Sequence, residues 1–191
     1  MFIRRLILFL YLFCFHHNLE CLAGSFLITP MVGLSNASYQ PLNIEKTPNY
    51  YGPEFSCLIT YYSLDILENG LLLTHFSGIH PAKEKPKINM STVAWYTGVL
   101  KAKIINLGLI AGYSFLERSG ESISLDPEST AEGNTFGFSI GTIQKGKGLS
   151  FWRISLDYLQ SNLILAGSSI LASSSSRKLD KFQIRLGYTH M

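Results

Sequence analysis

Apolar and small or polar side chains alternate with a period of two along much of the chain, most cleanly from Ile104 to Leu116. Ile105, Leu107, Leu109, Ala111, Tyr113 and Phe115 share one register, and Asn106, Gly108, Gly112 and Ser114 the other. Period two is the strand period, because successive side chains of an extended backbone point to opposite faces. A half-buried strand of a soluble sheet alternates in the same way, but its weaker face carries the lysine and glutamate of a solvated surface. Glycine, serine and asparagine instead suit the crowded inside of a narrow barrel. At about 9–11 residues per tilted crossing, the segment is long enough to span a bilayer.

Seven further segments repeat the pattern. Strand one carries Phe26, Ile28, Pro30, Val32 and Leu34 on one register; Pro30 has no ladder donor, which marks a bulge or a strand edge. Strand two alternates Phe55, Cys57, Ile59 and Tyr61 with Glu54, Ser56 and Thr60. Strand three runs from Gly70 to Ile79, where the run Leu71 to Leu73 blurs the facing, and strand four from Met90 to Leu100 sets Val93, Trp95 and Val99 on one side. Ile104 to Leu116 is strand five. Strand six, Thr135 to Ile143, sets Phe136, Phe138 and Ile140 against Gly137, Ser139 and Gly141. Strand seven, Leu149 to Gln160, sends Trp152, Ile154, Leu156 and Tyr158 outward and Arg153, Ser155 and Asp157 inward. Strand eight, Leu179 to Met191, sets Phe182, Ile184, Leu186 and Tyr188 outward against Gln183, Arg185 and Gly187.

The connections alternate long and short. Gln40 to Tyr51, His80 to Ile88, Arg118 to Asn134 and Ser161 to Lys178 are polar, proline-bearing or serine-rich loops, whereas Leu64 to Asn69, Lys101 to Lys103 and Lys145 to Gly148 are turns. An even number of strands with this rhythm is expected of an all-β, eight-stranded antiparallel up-and-down transmembrane barrel, with short turns on the periplasmic side and longer loops outside.

Composition agrees. Charged residues make up 15% of the 191 residues and aromatics 13%, against about 25% charged in a typical soluble domain. A net charge of +3 and the lack of any basic run argue against nucleic acid as a partner. Arg4 and Arg5 followed by the apolar run Leu6 to Phe15 read as a secretory signal, too short for the ~20 residues of a spanning helix. Cys21-Leu22-Ala23 offers a cleavage site, which divides the chain into a signal peptide over 1–23 and a barrel over 24–191. Of three cysteines, Cys14 and Cys21 leave with the signal, so Cys57 is alone and no intrachain disulfide forms.

The eight-strand pattern across Gly24 to Met191 resembles the small bacterial outer-membrane barrels of the OmpA transmembrane domain and OmpX-like group. The resemblance implies residence in the outer membrane of a Gram-negative cell, with outer-membrane lipids and the barrel assembly machinery as partners. The final strand holds alternate hydrophobics at Phe182, Ile184, Leu186 and Tyr188, while Met191 lies one residue off the register of the usual terminal pattern.

Candidate chemistry is sparse. Glu54, Arg153, Asp157 and Arg185 face inward and are candidates for an ion-pair network across the lumen, either as a polar plug or as a narrow ion path. His75 and Ser77 share one strand face and resemble part of the His-x-Ser motif of lipid A deacylases; there the motif is followed by asparagine late in the chain, whereas Gly78 follows here. Glu121, Asp126, Glu128 and Glu132 match no calcium loop, and Lys83, Lys85 and Lys87 fit a solvated loop or a contact with lipid phosphates. No phosphate-binding loop, dinucleotide fingerprint, Cys/His metal spacing or Gly-x-Ser-x-Gly occurs, so neither cofactor nor metal is expected. Three functions follow: a non-enzymatic outer-membrane barrel acting in envelope integrity or surface contact through its outer loops, a deacylase-like lipid hydrolase, or a soluble lipocalin-like carrier of an apolar ligand.

Overall fold

Strands that alternate around a full circle leave no free edge, and this chain closes that circle. A computed structural model describes residues 26–40, 48–63, 67–81, 87–101, 105–119, 130–145, 150–165 and 176–190. Residues 1–23, where a signal peptide is expected, and Met191 lie outside the described residues. The strands are β1 (Phe26–Gln40), β2 (Asn49–Ser63), β3 (Leu67–Ile79), β4 (Lys87–Lys101), β5 (Ile105–Ser119), β6 (Thr130–Lys145), β7 (Ser150–Leu165) and β8 (Ser176–His190). Each pairs antiparallel with the next, and β8 returns to β1 to close the barrel. Among the described residues there is no helix long and apolar enough to cross a membrane.

The strands run past the limits set by the apolar pattern. β6 starts at Thr130, β7 continues to Leu165 and β8 begins at Ser176, each extending into a segment that reads as loop from its polar residues. The ladder continues through them because hydrogen bonding between strands does not depend on an apolar face. These extensions lie at the end bearing the connections 41–48, 80–86, 120–129 and 166–175, which we call the outer end; connections 64–66, 102–104 and 146–149 lie at the other. Pro30 pairs with Cys57 of β2, but the β1–β8 ladder stops at Met31↔Gly187, one residue short of it, as suits a residue without a backbone donor.

Facing follows the alternation. Ile105, Leu107, Leu109, Ala111 and Tyr113 of β5 are exposed on the perimeter, while Asn106, Gly108 and Ser114 are buried in the lumen. Phe138, Leu156, Phe182 and Ile184 are all about half exposed or more. An apolar ligand carrier would turn these side chains inward and its charges outward. Here the reverse holds, so the soluble carrier is excluded.

The interior corrects one expectation, that small polar groups fill it. Two apolar clusters occupy much of the lumen. One, toward the outer end, joins Tyr39, Tyr50, Phe76, Ile88, Met90 and Leu179 among others; the second joins Met31, Leu58, Leu72, Tyr96, Ile110 and Leu159. Small residues make room for the large ones. Gly98 and Gly108 face each other across β4 and β5, and a Cβ on Gly108 would stand 2.4 Å from the Tyr96 ring, one on Gly98 2.5 Å from its hydroxyl. The paired glycines form the slot in which that ring lies. Gly108→Val is therefore expected to displace Tyr96 and cost about 1–3 kcal/mol, read as a lower urea midpoint for the barrel refolded in micelles.

Candidate functional site

The buried inward charges come from four strands, β2, β3, β7 and β8, and in an eight-stranded barrel the interior is only wide enough for side chains to fill it. All four nominated lumen residues, Glu54, Arg153, Asp157 and Arg185, are buried there. They do not form one network. Only Asp157 and Arg185 pair with each other, Arg185 Nε donating to Asp157 Oδ2 at 2.7 Å, with Gln183 Nε2 donating to the same oxygen at 3.0 Å. Glu54 instead accepts from Lys181 Nζ at 3.1 Å and from the Ser35 hydroxyl. Arg153 pairs with Glu68, its Nη1 donating to Oε1 at 2.8 Å and its Nη2 donating to Oε2.

Lys181 and Glu68 are the residues that the sequence pattern misses. Glu68 sits where the chain reads as a turn, yet β3 already begins at Leu67. Lys181 is on the same register as Gln183 and Arg185, so its inward position follows from the alternation of β8. Its pairing with Glu54 does not, because the two residues are brought together only by the closing of β8 on β1 and β2.

These charges are held as a buried pair must be, with further hydrogen bonds around them. Asn106 Nδ2 donates to Glu68, and the Tyr96 hydroxyl donates to Asn106 Oδ1 at 2.6 Å. The Arg153 guanidinium lies 5.5 Å from the Tyr96 ring centroid, and Lys181 Nζ 5.8 Å from that of Phe76. Between the apolar clusters a chain of hydroxyls, Thr92, Ser114, Thr135 and Ser161, links β4 to β7 at 2.5–2.7 Å. The lumen is thus stacked in alternating polar and apolar layers.

His75 and Ser77 lie elsewhere. Both occupy the outward register of β3, where His75 is exposed and Ser77 half-buried. His75 Nδ1 lies 3.0 Å from the Ser91 hydroxyl of β4, so the imidazole is hydrogen-bonded to a neighbouring strand. No His75–carboxylate hydrogen bond or ion pair is present among the described residues. Glu132 is exposed on β6 and Lys87 on β4, whereas Glu121, Asp126, Glu128, Lys83 and Lys85 lie outside the described residues. Among the described residues no group of His, Cys, Asp and Glu is placed to hold a metal ion. Cys57 is a free, half-buried thiol on the perimeter of β2.

The perimeter is graded. Aromatics stand toward both ends of the apolar surface: Tyr51, Tyr113 and Tyr158 in the outer half, Trp152 and Tyr188 in contact at 4.8 Å toward the other end. Aromatic girdles around an apolar band are the arrangement of a barrel in a bilayer.

No known family profile matches the sequence, and no curated protein matches it. The fold does have solved counterparts. The chain is similar to Ail, the attachment invasion locus protein of Yersinia pestis, at 11% identity and a TM-score of 0.60, covering 85% of this chain and 97% of that one. It is similar to Neisserial surface protein A at 12% identity and a TM-score of 0.57, covering 88% and 99%. Ail in complex with the heparin analogue sucrose octasulfate gives 13% identity, a TM-score of 0.52 and coverage of 88% and 99%. The fold is that of the small bacterial outer-membrane β-barrels. An apolar perimeter around a charged interior is what a barrel standing in a bilayer requires.

Removing one partner of a buried pair leaves the other charge uncompensated. Lys181→Met is expected to destabilise the folded barrel by about 3–5 kcal/mol, and the double change Glu54→Leu with Lys181→Met to recover most of that loss. Urea unfolding of the three proteins in the same micelles checks this; equal stability of wild type and Lys181→Met would contradict it.

Proposed function

We propose that this protein is a non-enzymatic outer-membrane barrel that acts in surface contact or envelope integrity through its outer connections. The filled lumen carries this reading. Three buried ion pairs and two apolar clusters stand in the path a solute would take. A water-filled path would need these charges solvated, and here they are satisfied by one another. Glu54, Arg153, Asp157 and Arg185, together with Lys181 and Glu68, are on this view the plug that holds the barrel closed and rigid.

The hydrolase alternative needs an imidazole oriented by a carboxylate and aimed at a nucleophile. His75 is hydrogen-bonded to Ser91 instead, on a face turned to the perimeter. Transport to the membrane uses the amino-terminal signal, and insertion uses the barrel assembly machinery acting on the β8 pattern. What remains for recognition is the outer end, where the serine-rich segment 166–175 and the acidic segment 120–129 join the strands. Ail, alike in fold, has been seen with a heparin analogue, and a ligand outside the cell is the class of partner we assign to this end.

Replacing 120–129 or 166–175 by short Gly-Ser links is expected to abolish surface binding by intact cells while leaving heat-modifiable gel mobility unchanged. In planar bilayers the wild type is expected to give no steady conductance. Ser77→Ala is expected to leave the acyl content of lipid A unchanged. Steady single-channel currents, or altered acylation in the Ser77 variant, would overturn the assignment.

A further inference from the structure

The three ladders around β1 and β8 do not end together. At the inner end, opposite the outer one, β1 stays paired with β2 down to Phe26↔Tyr61, and β8 with β7 down to Ser150↔His190. The β1–β8 ladder between them ends at Met31↔Gly187, so 26–30 and 188–190 are not paired with each other.

Backbone parity shows why. In an antiparallel strand the N–H and C=O of one residue point to the same side, and successive residues alternate sides. Tyr39 N–H donates to the Pro48 carbonyl on the β2 side at 3.2 Å, and the register of β1 is unbroken on both flanks. Odd-numbered residues of β1 therefore bond to β2 and even-numbered ones to β8. Val32 and Leu186 are the last pair able to exchange both bonds. The next would be Pro30 with Tyr188, and there proline has no N–H to give. At an odd position the same proline would have cost a bond to β2 and left the seam intact.

Below that point side chains join the two strands. Extending the register sets Thr29 opposite Thr189, as a pair not bonded through the backbone, in which side chains stand closest. Their hydroxyls are hydrogen-bonded to each other inside the lumen, and both residues are buried. Gly187 leaves room for this contact: a Cβ there would stand 2.4 Å from Met31 Cγ and 2.8 Å from Thr29 Cγ2, so side chains of β1 reach across the seam. Tyr188 touches Trp152 in the aromatic girdle at this end, the level at which water can take up backbone groups that hydrocarbon cannot.

We propose that the inner end of the β8–β1 seam is a lateral opening held shut by the Thr29–Thr189 hydrogen bond, which parts while the rest of the barrel stays closed. Parting it breaks one side-chain hydrogen bond and the packing on Gly187. Parting either flanking ladder at the same depth breaks backbone bonds as well. The open form presents two strand edges, 26–30 and 188–190, at the inner face of the membrane, and free N–H and C=O groups on an edge are a template for a further strand. The opening rests on the barrel standing in a bilayer and not on what its outer connections contact.

Amide hydrogen exchange of the mature protein refolded in micelles, read residue by residue by NMR, tests this. The Val32 and Leu186 amides make the last bonds of the seam and are the first to break once the clasp has parted. The Leu58 and Arg153 amides, which face Thr29 and Gly187 in the flanking ladders, are the controls. Val32 and Leu186 are expected to exchange faster than both controls. Thr29→Val is expected to speed them further by about fivefold, the scale of one net hydrogen bond, with the controls unchanged. Pro30→Val restores the donor and slows them toward the control rate. Heat-modifiable mobility shows that each variant is folded. Equal protection of all four amides in the wild type, Thr29→Val speeding all four alike, or Pro30→Val leaving Val32 and Leu186 at the wild-type rate would overturn the proposal. A failure here leaves the assignment of the outer connections untouched, because surface binding by cells does not depend on this end.

Discussion

The constraint on which this structure depends is the hydrogen bonding of its backbone. Hydrocarbon offers no partner for an N–H or a C=O, and each group left unmade there costs several kcal/mol. A sheet satisfies all of them only by closing on itself, and the pairing of β8 with β1 does so. Closure then fixes everything else. Alternate side chains must face lipid, and the remainder must fill a lumen too narrow for water and side chains together. The aliphatic and aromatic perimeter and the buried ion pairs are two consequences of one ladder.

Within that frame the interior solves a packing problem and an electrostatic one at once. Large side chains such as Tyr96 and Phe76 need neighbours that yield space, which Gly98, Gly108 and Gly78 provide. Charges need partners at hydrogen-bond distance, and each carboxylate of the lumen has a cation against it. The rings serve both needs, since Arg153 and Lys181 lie over Tyr96 and Phe76. Charge and packing are therefore interleaved along the barrel axis.

Strand number, facing and the rhythm of connections were legible in the sequence because period two is a property of single strands. Ile105 to Phe115 on one side and Phe182 to Tyr188 on another could be read without knowing their neighbours. What was not legible depends on neighbours. The outer ends of β6 and β8 carry polar residues, and that of β7 lies in a serine-rich stretch of the sequence, so alternation gives no signal there although pairing continues. Glu68 was hidden by the same effect at the opposite end. The three ion pairs depend on register between strands distant in sequence, so Glu54 could be placed inside but not assigned to Lys181. His75 was obscure because Leu71 to Leu73 offers no alternation; its outward position comes from Phe76 and Leu72, both fully buried.

The account is tested most directly by measuring which side of β8 meets lipid. Nitroxide labels placed singly at Phe182, Gln183, Ile184, Leu186, Gly187 and Tyr188, in the protein reconstituted into bilayers, report collision with oxygen dissolved in the hydrocarbon. High accessibility at Phe182, Ile184, Leu186 and Tyr188 with low values at Gln183 and Gly187 is the result predicted. Accessibility without that period, or with its phase reversed, would contradict an apolar perimeter around a charged interior.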